Sequence, residues 1–496
     1  MKLTQNRKYR TGVLVLALTI FGTSCESFLD INDDPNFAAD ATNVQIMPAA
    51  QGAYAVALSS MIERASATMV QHYINGRFDN WGFNGSSYDI QWSDLYAGAL
   101  TDLEVIIIQA EADGDLHYAG AAKLQKAYIY SVLVDLFGDV PFSEANGTVI
   151  NPKTDLGEEI YPALISLIDD GIADLQGESN VPLSSGDLIY GGNTEAWIRM
   201  ANTLKLKMHN QTRLVDAGAS ASAINALLTE GNLIGSTNQN FTFRFTSSNA
   251  PEGRHPNFQA DWAAGSLENN LASFIISRMN ASSDPRIPYY FYRQNASSAL
   301  LGVNGGEGSS AGDDNVRAIP GIYPTGGAYD DASFQVHNET LGLQGAGIFP
   351  LITYTNRLFI EAEAALILGT QGDPRVLLSS AVSSSLSEVA GFAGVAMDAT
   401  DVSDYLANVL ADYDGAATDE ERLEVIINEK YIAMYGNGIE SYNDLRRTGY
   451  PTGLNLPVVQ NGPFPNIFPI PPAEVTANEN IDPLTDLTSK VFWDLN

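Results

Sequence analysis

Thr418-Asp419-Glu420-Glu421-Arg422-Leu423-Glu424-Val425-Ile426-Ile427-Asn428-Glu429-Lys430-Tyr431-Ile432-Ala433-Met434-Tyr435 is the stretch whose reading decides the fold class. Thr418 and Glu421 stand at the T-x-x-E spacing of a capping box, in which two side chains satisfy backbone N–H groups left over at a helix start. Leu423, Ile426, Ile427, Tyr431, Met434 and Tyr435 recur at three- and four-residue intervals and share one face, while Glu424, Asn428 and Lys430 fall mostly outside it. Asn437-Gly438 then ends the helix. A stripe of this kind has to be buried against another element.

Outward from this helix the same spacing predicts helices over 44–73, 90–112, 117–137, 155–176, 194–216 and 351–369. Strand-like alternation is confined to short pieces such as Phe241-Thr242-Phe243-Arg244-Phe245. The chain therefore reads as mainly α. No repeat of fixed length stands out, although Ala362, Ala364 and Ala365 are the small contacts that paired antiparallel helices use. Two stretches break the pattern. Gly, Ser, Asn and aromatic residues dominate about 281–350, and Pro451, Pro457, Pro463, Pro465, Pro469, Pro471 and Pro472 block helix across 449–490. Long irregular segments inside a compact protein are often binding loops.

The N-terminus reads as an export signal over 1–24. Lys2, Arg7, Lys8 and Arg10 precede an apolar run from Val13 to Phe21, then Gly22, Thr23, Ser24 and the chain's one cysteine, Cys25. That order matches a lipoprotein signal peptide with Cys25 as the lipid attachment site, except that Gly22 stands where Leu is usual. The other reading is an ordinary secretory signal followed by a stray cysteine; with no second cysteine to pair, the lipoprotein reading is preferred. The run is about half the ~18–20 residues a spanning helix needs, and no later segment is expected to span, so the mature chain is expected to be anchored to a membrane by its acyl chains. Residues 25–496 are read as a single domain. Asp30, Asn32 and Asp34 alternate as in a calcium loop, but Pro35 replaces the turn glycine, which favours a solvated tether.

The net charge is −33, and removing residues 1–24, with four basic and no acidic side chains, leaves −37. Such a surface argues against nucleic acid and anionic lipid as partners. Support for catalysis is thin: the five histidines are scattered, and no H-E-x-x-H, Cys/His metal spacing, G-x-S-x-G or Gly-rich phosphate loop occurs. With 59 acidic residues, chance carboxylate pairs decide nothing about glycoside hydrolysis. Asp412, Asp414 and Gly415 hint at a calcium loop whose later ligands are missing, and read as a solvated loop. No cofactor or metal is expected.

Several segments together resemble the SusD/RagB family of outer-membrane lipoproteins, in its second sequence branch. They are Cys25 with Phe28-Leu29-Asp30-Ile31-Asn32-Asp33-Asp34-Pro35-Asn36; Asp135-Leu136-Phe137-Gly138-Asp139-Val140-Pro141-Phe142-Ser143-Glu144-Ala145; Trp197-Ile198-Arg199-Met200-Ala201-Asn202-Thr203-Leu204-Lys205-Leu206; Asp284-Pro285-Arg286; and Ile352-Thr353-Tyr354 through Ala362-Glu363-Ala364-Ala365. The strongest set is Ile427-Asn428-Glu429-Lys430-Tyr431, Asp444-Leu445-Arg446-Arg447-Thr448-Gly449-Tyr450-Pro451 and Phe468-Pro469-Ile470-Pro471-Pro472-Ala473-Glu474. The resemblance implies tetratricopeptide-like helix pairs forming a right-handed helical scaffold with a loop-rich ligand face. It also implies capture of a nutrient, most often an oligosaccharide, without chemistry, and delivery to a SusC-like TonB-dependent transporter. The protein would sit on the outer membrane by its lipid anchor, facing the exterior.

Sugar rings stack their C–H faces on aromatic side chains while nearby polar groups bond the hydroxyls, so loop aromatics are the candidates. Arg77-Phe78-Asp79-Asn80-Trp81-Gly82-Phe83-Asn84-Gly85-Ser86-Ser87-Tyr88 comes first, with Trp81, Phe83, Tyr88, Asn80 and Asn84 as ligand contacts. Tyr323, Tyr329 and Phe334 in Gly-rich sequence, and Trp262 after Asp261, come second. For each ring, core packing stands beside ligand contact as an open reading. Trp92 and Tyr96, and the run Tyr289-Tyr290-Phe291-Tyr292, read as packing, and Arg446-Arg447 as a structural ion pair. Two other functions remain open: a secreted glycan-processing enzyme, and a helical-repeat adaptor that binds protein alone.

Overall fold

The computed structural model describes residues 41–184, 186–263, 268–293, 300, 302–307, 318–333 and 341–496. The export signal, Cys25, the tether and Phe334 lie outside the described residues. The longer helices are α1 (Asn43–Ala57), α2 (Glu63–Met69), α3 (Thr101–Asp113), α4 (Leu116–Phe137), α5 (Gly157–Gln176), α6 (Thr194–Gln211), α7 (Ala217–Glu230), α8 (Tyr354–Leu368), α9 (Pro374–Ala393), α10 (Ala399–Gly415), α11 (Asp419–Ala433) and α12 (Gly438–Thr448). The capping box forms as its spacing predicts: Thr418 Oγ1 accepts from Glu421 N, and the Glu421 carboxylate accepts from Thr418 N, both at 3.2 Å.

Neighbours in sequence pack as pairs, α3 with α4, α4 with α5, α6 with α7, α8 with α9 and α10 with α11, in a tetratricopeptide-like arrangement. Where α4 crosses α5, a Cβ on Gly120 would stand 2.7 Å from the Gly171 carbonyl oxygen, so only glycine permits that approach. Residues Asn43–Asn496 form one compact unit. By length and composition α9 could cross a membrane, contrary to the sequence expectation. Its face of Leu378, Ala381, Val382, Leu386 and Val389 is instead buried in the fold, against α8 and α11.

Four small antiparallel sheets tie the irregular stretches to this frame. They pair Tyr73–Asn75 with Asn269–Leu271, Val140–Pro141 with Thr154–Asp155, Phe241–Arg244 with Ile348–Ile352, and Phe291–Arg293 with Ala318–Pro320. The alternation at Phe241 is thus a strand, with Phe243 opposite Phe349. Elsewhere local chemistry moves the expected boundaries. Residues 212–216 leave the helix because Asp216 accepts from Ala219 N and caps α7. Asp412, Asp414 and Gly415 form the end of α10, not a solvated loop, with Asp414 bonded to Arg375 at 2.7 Å. Within the proline-rich stretch Pro472–Ala477 is helical, because a proline at a helix start gives up no needed N–H.

Under the helix pairs lies a buried ionic cluster. Glu363 accepts from Arg213 Nε at 2.7 Å, from Arg447 Nη2 at 2.9 Å and from Asn210 at 3.1 Å. The guanidinium groups hold its carboxyl far below the usual range despite burial. Arg447 also meets Asp444 at 2.7 Å, and Lys430 meets Asp444 at 2.7 Å. Arg446 stacks between Tyr442 and Trp493 and donates to the Asp135 and Asn466 carbonyls. The arginine pair is structural.

Candidate functional site

Three loops converge around Asp79. The Asp79 carboxylate accepts from Gly306 N at 2.9 Å, Asn461 N donates to the Asn80 carbonyl at 2.8 Å, and Val458 N donates to the Gly305 carbonyl at 2.7 Å. Burial raises the Asp79 pKa, and the Gly306 N–H opposes that rise. The approach is close: a Cβ on Gly305 would lie 2.2 Å from the Asp79 carbonyl oxygen. Gln71 clamps the third loop, donating to the Asn455 carbonyl at 2.6 Å and accepting from Asn455 N at 3.2 Å. Asn455 then donates to Asn304, and Asn304 to Glu307, at 2.9 and 2.8 Å.

The first loop turns on its own side chains. Asn80 Oδ1 accepts from Gly82 N, and Asn84 Oδ1 from Ser86 N, short polar bridges that substitute for backbone turns. Between them Trp81 has φ +60°, a left-handed conformation that costs a bulky residue ~1–2 kcal/mol. Contacts hold it there: Trp81 N donates to the Phe78 carbonyl, Phe83 N to the Trp81 carbonyl, and the indole meets Phe464 edge-on at 5.4 Å. Strain of this kind persists where the surroundings over-determine it, and is concentrated at functional sites.

Most rings of the expected platform are buried. Tyr88 is wholly buried, with its hydroxyl donating to the Pro469 carbonyl at 2.8 Å, and Phe83 leans on Phe468 at 4.7 Å. Trp262 is 1% exposed, edge-on to Tyr292, and donates from Nε1 to the Pro320 carbonyl. Tyr323 is buried between Tyr290 and Phe392. None of these rings offers a face to solvent, because each covers apolar surface where a loop meets the frame. Trp81 keeps 7% exposure. Tyr329 is half-buried and edge-on to Tyr289. Arg77, Asn84 and Asn461 are exposed and Asn80 is partly so, making a polar rim around Trp81. Sequence reasoning missed Gln71, Asn304, Asn455 and Asn461; the only local signal was Asn304-Gly305-Gly306, a turn tripeptide inside a loop.

Residues 35–466 match the SusD-like 2 family, described as starch-binding and associating with the outer membrane. The chain belongs to the SusD-like family. A chitin-binding protein of known structure is 22% identical, with 92% of this chain and all of that one covered at a TM-score of 0.74. A SusD/RagB family protein from Bacteroides thetaiotaomicron is 20% identical over 92% of this chain and 99% of its own, at 0.72. A chitin-binding SusD homologue from Flavobacterium johnsoniae is 18% identical over 90% and 98%, also at 0.72. At such identities these structures speak for the SusD-like fold. No curated protein matches the chain.

Proposed function

We propose that this SusD-like protein captures an oligosaccharide outside the cell and delivers it to a SusC-like TonB-dependent transporter, held to the outer membrane by acyl chains on Cys25. The observation that carries the reading is membership, over residues 35–466, in a family described as starch-binding and associating with the outer membrane. The loop junction supplies the place. Asn80, Asn84, Arg77 and Asn461 bond hydroxyls at the rim, Trp81 meets the ligand through the 7% of its surface left open, and Tyr329 offers a further ring. Phe83 and Tyr88 act from beneath, fixing the loop on Phe468. A rim of this depth covers one side of a sugar chain, which fits modest affinity and onward release.

The test is affinity profiling of the protein against neutral and acidic oligosaccharides and peptides, with Trp81→Leu and Tyr329→Ala alongside. Saturable glycan binding that both substitutions weaken, at melting temperatures close to the parent, supports the reading. Glycan turnover abolished by one carboxylate substitution would replace it with an enzyme, and silence across all glycans would end it.

A further inference from the structure

Six Asn-Gly pairs lie among the described residues, at Asn75, Asn84, Asn146, Asn304, Asn437 and Asn461. In such a pair the following N–H can reach the asparagine side-chain carbonyl carbon, because glycine has no side chain to block the approach. What separates the six is how each amide is held. Asn75 is 1% exposed and donates to Asn269 Oδ1. Asn146 donates to the Tyr96 carbonyl and Thr101 Oγ1 and accepts from the Tyr130 hydroxyl. Asn304 is held by Asn455 and Glu307, and Asn437 caps α12 through Glu440 N while donating to the Pro350 carbonyl. Asn84 is exposed, but its Oδ1 accepts from both Ser86 N and Ser86 Oγ.

Asn461 differs from all of these. It is exposed, and among the described residues its amide makes no hydrogen bond, nor does the Gly462 N–H. The surrounding backbone is nevertheless fixed. Asn461 N donates to the Asn80 carbonyl at 2.8 Å, and Gly462 packs so closely that a Cβ there would lie 2.8 Å from the Trp81 carbonyl oxygen. The loop is thus anchored through atoms that deamidation does not consume, while the two that must join are left open.

We propose that Asn461 is a site of spontaneous deamidation, the Asn-Gly pair that reacts first in the folded protein. Gly462 N attacks Asn461 Cγ, forming a C–N bond, and Nδ2 leaves as ammonia carrying the proton from Gly462. Water then opens the resulting succinimide. Attack at Cγ gives aspartate, and attack at the main-chain carbonyl gives isoaspartate. Either product replaces a neutral amide with a carboxylate on the rim beside Trp81. Isoaspartate also puts an extra atom into the main chain where Gly462 packs on the Trp81 carbonyl. The inference does not depend on which ligand the rim takes. The experiment is peptide mapping by mass spectrometry of the full chain in mild detergent, held in mildly alkaline buffer with and without urea, beside Asn461→Gln. In the folded protein Asn461 is expected to convert about tenfold faster than Asn84, whose amide must first break a hydrogen bond. The other four should be slower still, since they react only through local opening. In urea the gap is expected to close, and Asn461→Gln should lose the fast conversion. An intact Asn461 peptide, or another pair converting first, overturns the site. The same gap persisting in urea overturns the claim that the fold selects it.

Discussion

The Glu363 cluster and the Asp79 junction are both places where distant parts of the chain meet, yet they are held in opposite ways. At Glu363 two helices and the turn after α6 contribute charged side chains, and Arg213, Arg447 and the carboxylate compensate one another out of water. At Asp79 the loops meet largely through backbone N–H and carbonyl groups, admitted by glycines and by a Trp81 backbone held left-handed. The first arrangement fixes a frame, since removing the shared Glu363 carboxylate leaves buried guanidinium groups without it. The second leaves side chains such as Arg77 and Asn461 exposed on the rim, so recognition can vary there without disturbing the frame.

Glu363→Ala should break the comparison most severely. It strands two buried guanidinium groups and should cost about 3–5 kcal/mol, read as a large fall in the urea midpoint. An unchanged midpoint would remove the frame's claim to be ionic. Gly305→Ala should act on the other side, costing ~1–3 kcal/mol through the clash with the Asp79 carbonyl. Its glycan affinity should fall out of proportion to its stability; equal behaviour with Glu363→Ala would merge the two regions.

A pH slope tests another buried carboxyl of the frame, Glu63, which accepts from Gly438 N. Burial pushes the Glu63 pKa from 4.5 up to about 8, against the N–H groups of Gly438 and Ile439. The folded protein thus holds that proton more tightly than the unfolded chain. Its contribution is complete below pH 4.5 and is lost as pH rises through about 8. Glu63→Gln should therefore gain melting temperature relative to the parent between about pH 5 and about pH 8.5, and a constant difference would refute the assignment. Smallest is Thr418→Ala, which removes the α11 cap for ~1 kcal/mol. It should leave glycan affinity unchanged, and any loss would tie the helix pairs to the ligand face.

Much of the frame was legible because its determinants are local. The Thr418–Glu421 spacing, the stripe from Leu423 to Tyr435 and the cap at Asn437 state a helix within one short window, and α11 follows them. Helices α9 and α10 were less legible: serine dilutes the stripe of α9, and aspartate at its end disguised α10 as a loop. The rings of the candidate site were not legible at all. Trp81, Tyr88, Trp262 and Tyr323 sit in polar or glycine-rich sequence, and nothing near them reveals that Phe464, Phe468, Tyr292 and Tyr290 come to cover them.

By itself the sequence determined the helical class, the family and the loop in which Trp81 lies, because periodicity, caps and motif order are properties of neighbouring residues. Only the tertiary structure decided which rings are floor and which atoms are rim. That choice depends on segments far apart in the chain, such as those of Asn80 and Asn461, joined by a hydrogen bond from a backbone N–H to a backbone carbonyl that any residue but proline could donate and that therefore leaves almost no trace in the order of side chains.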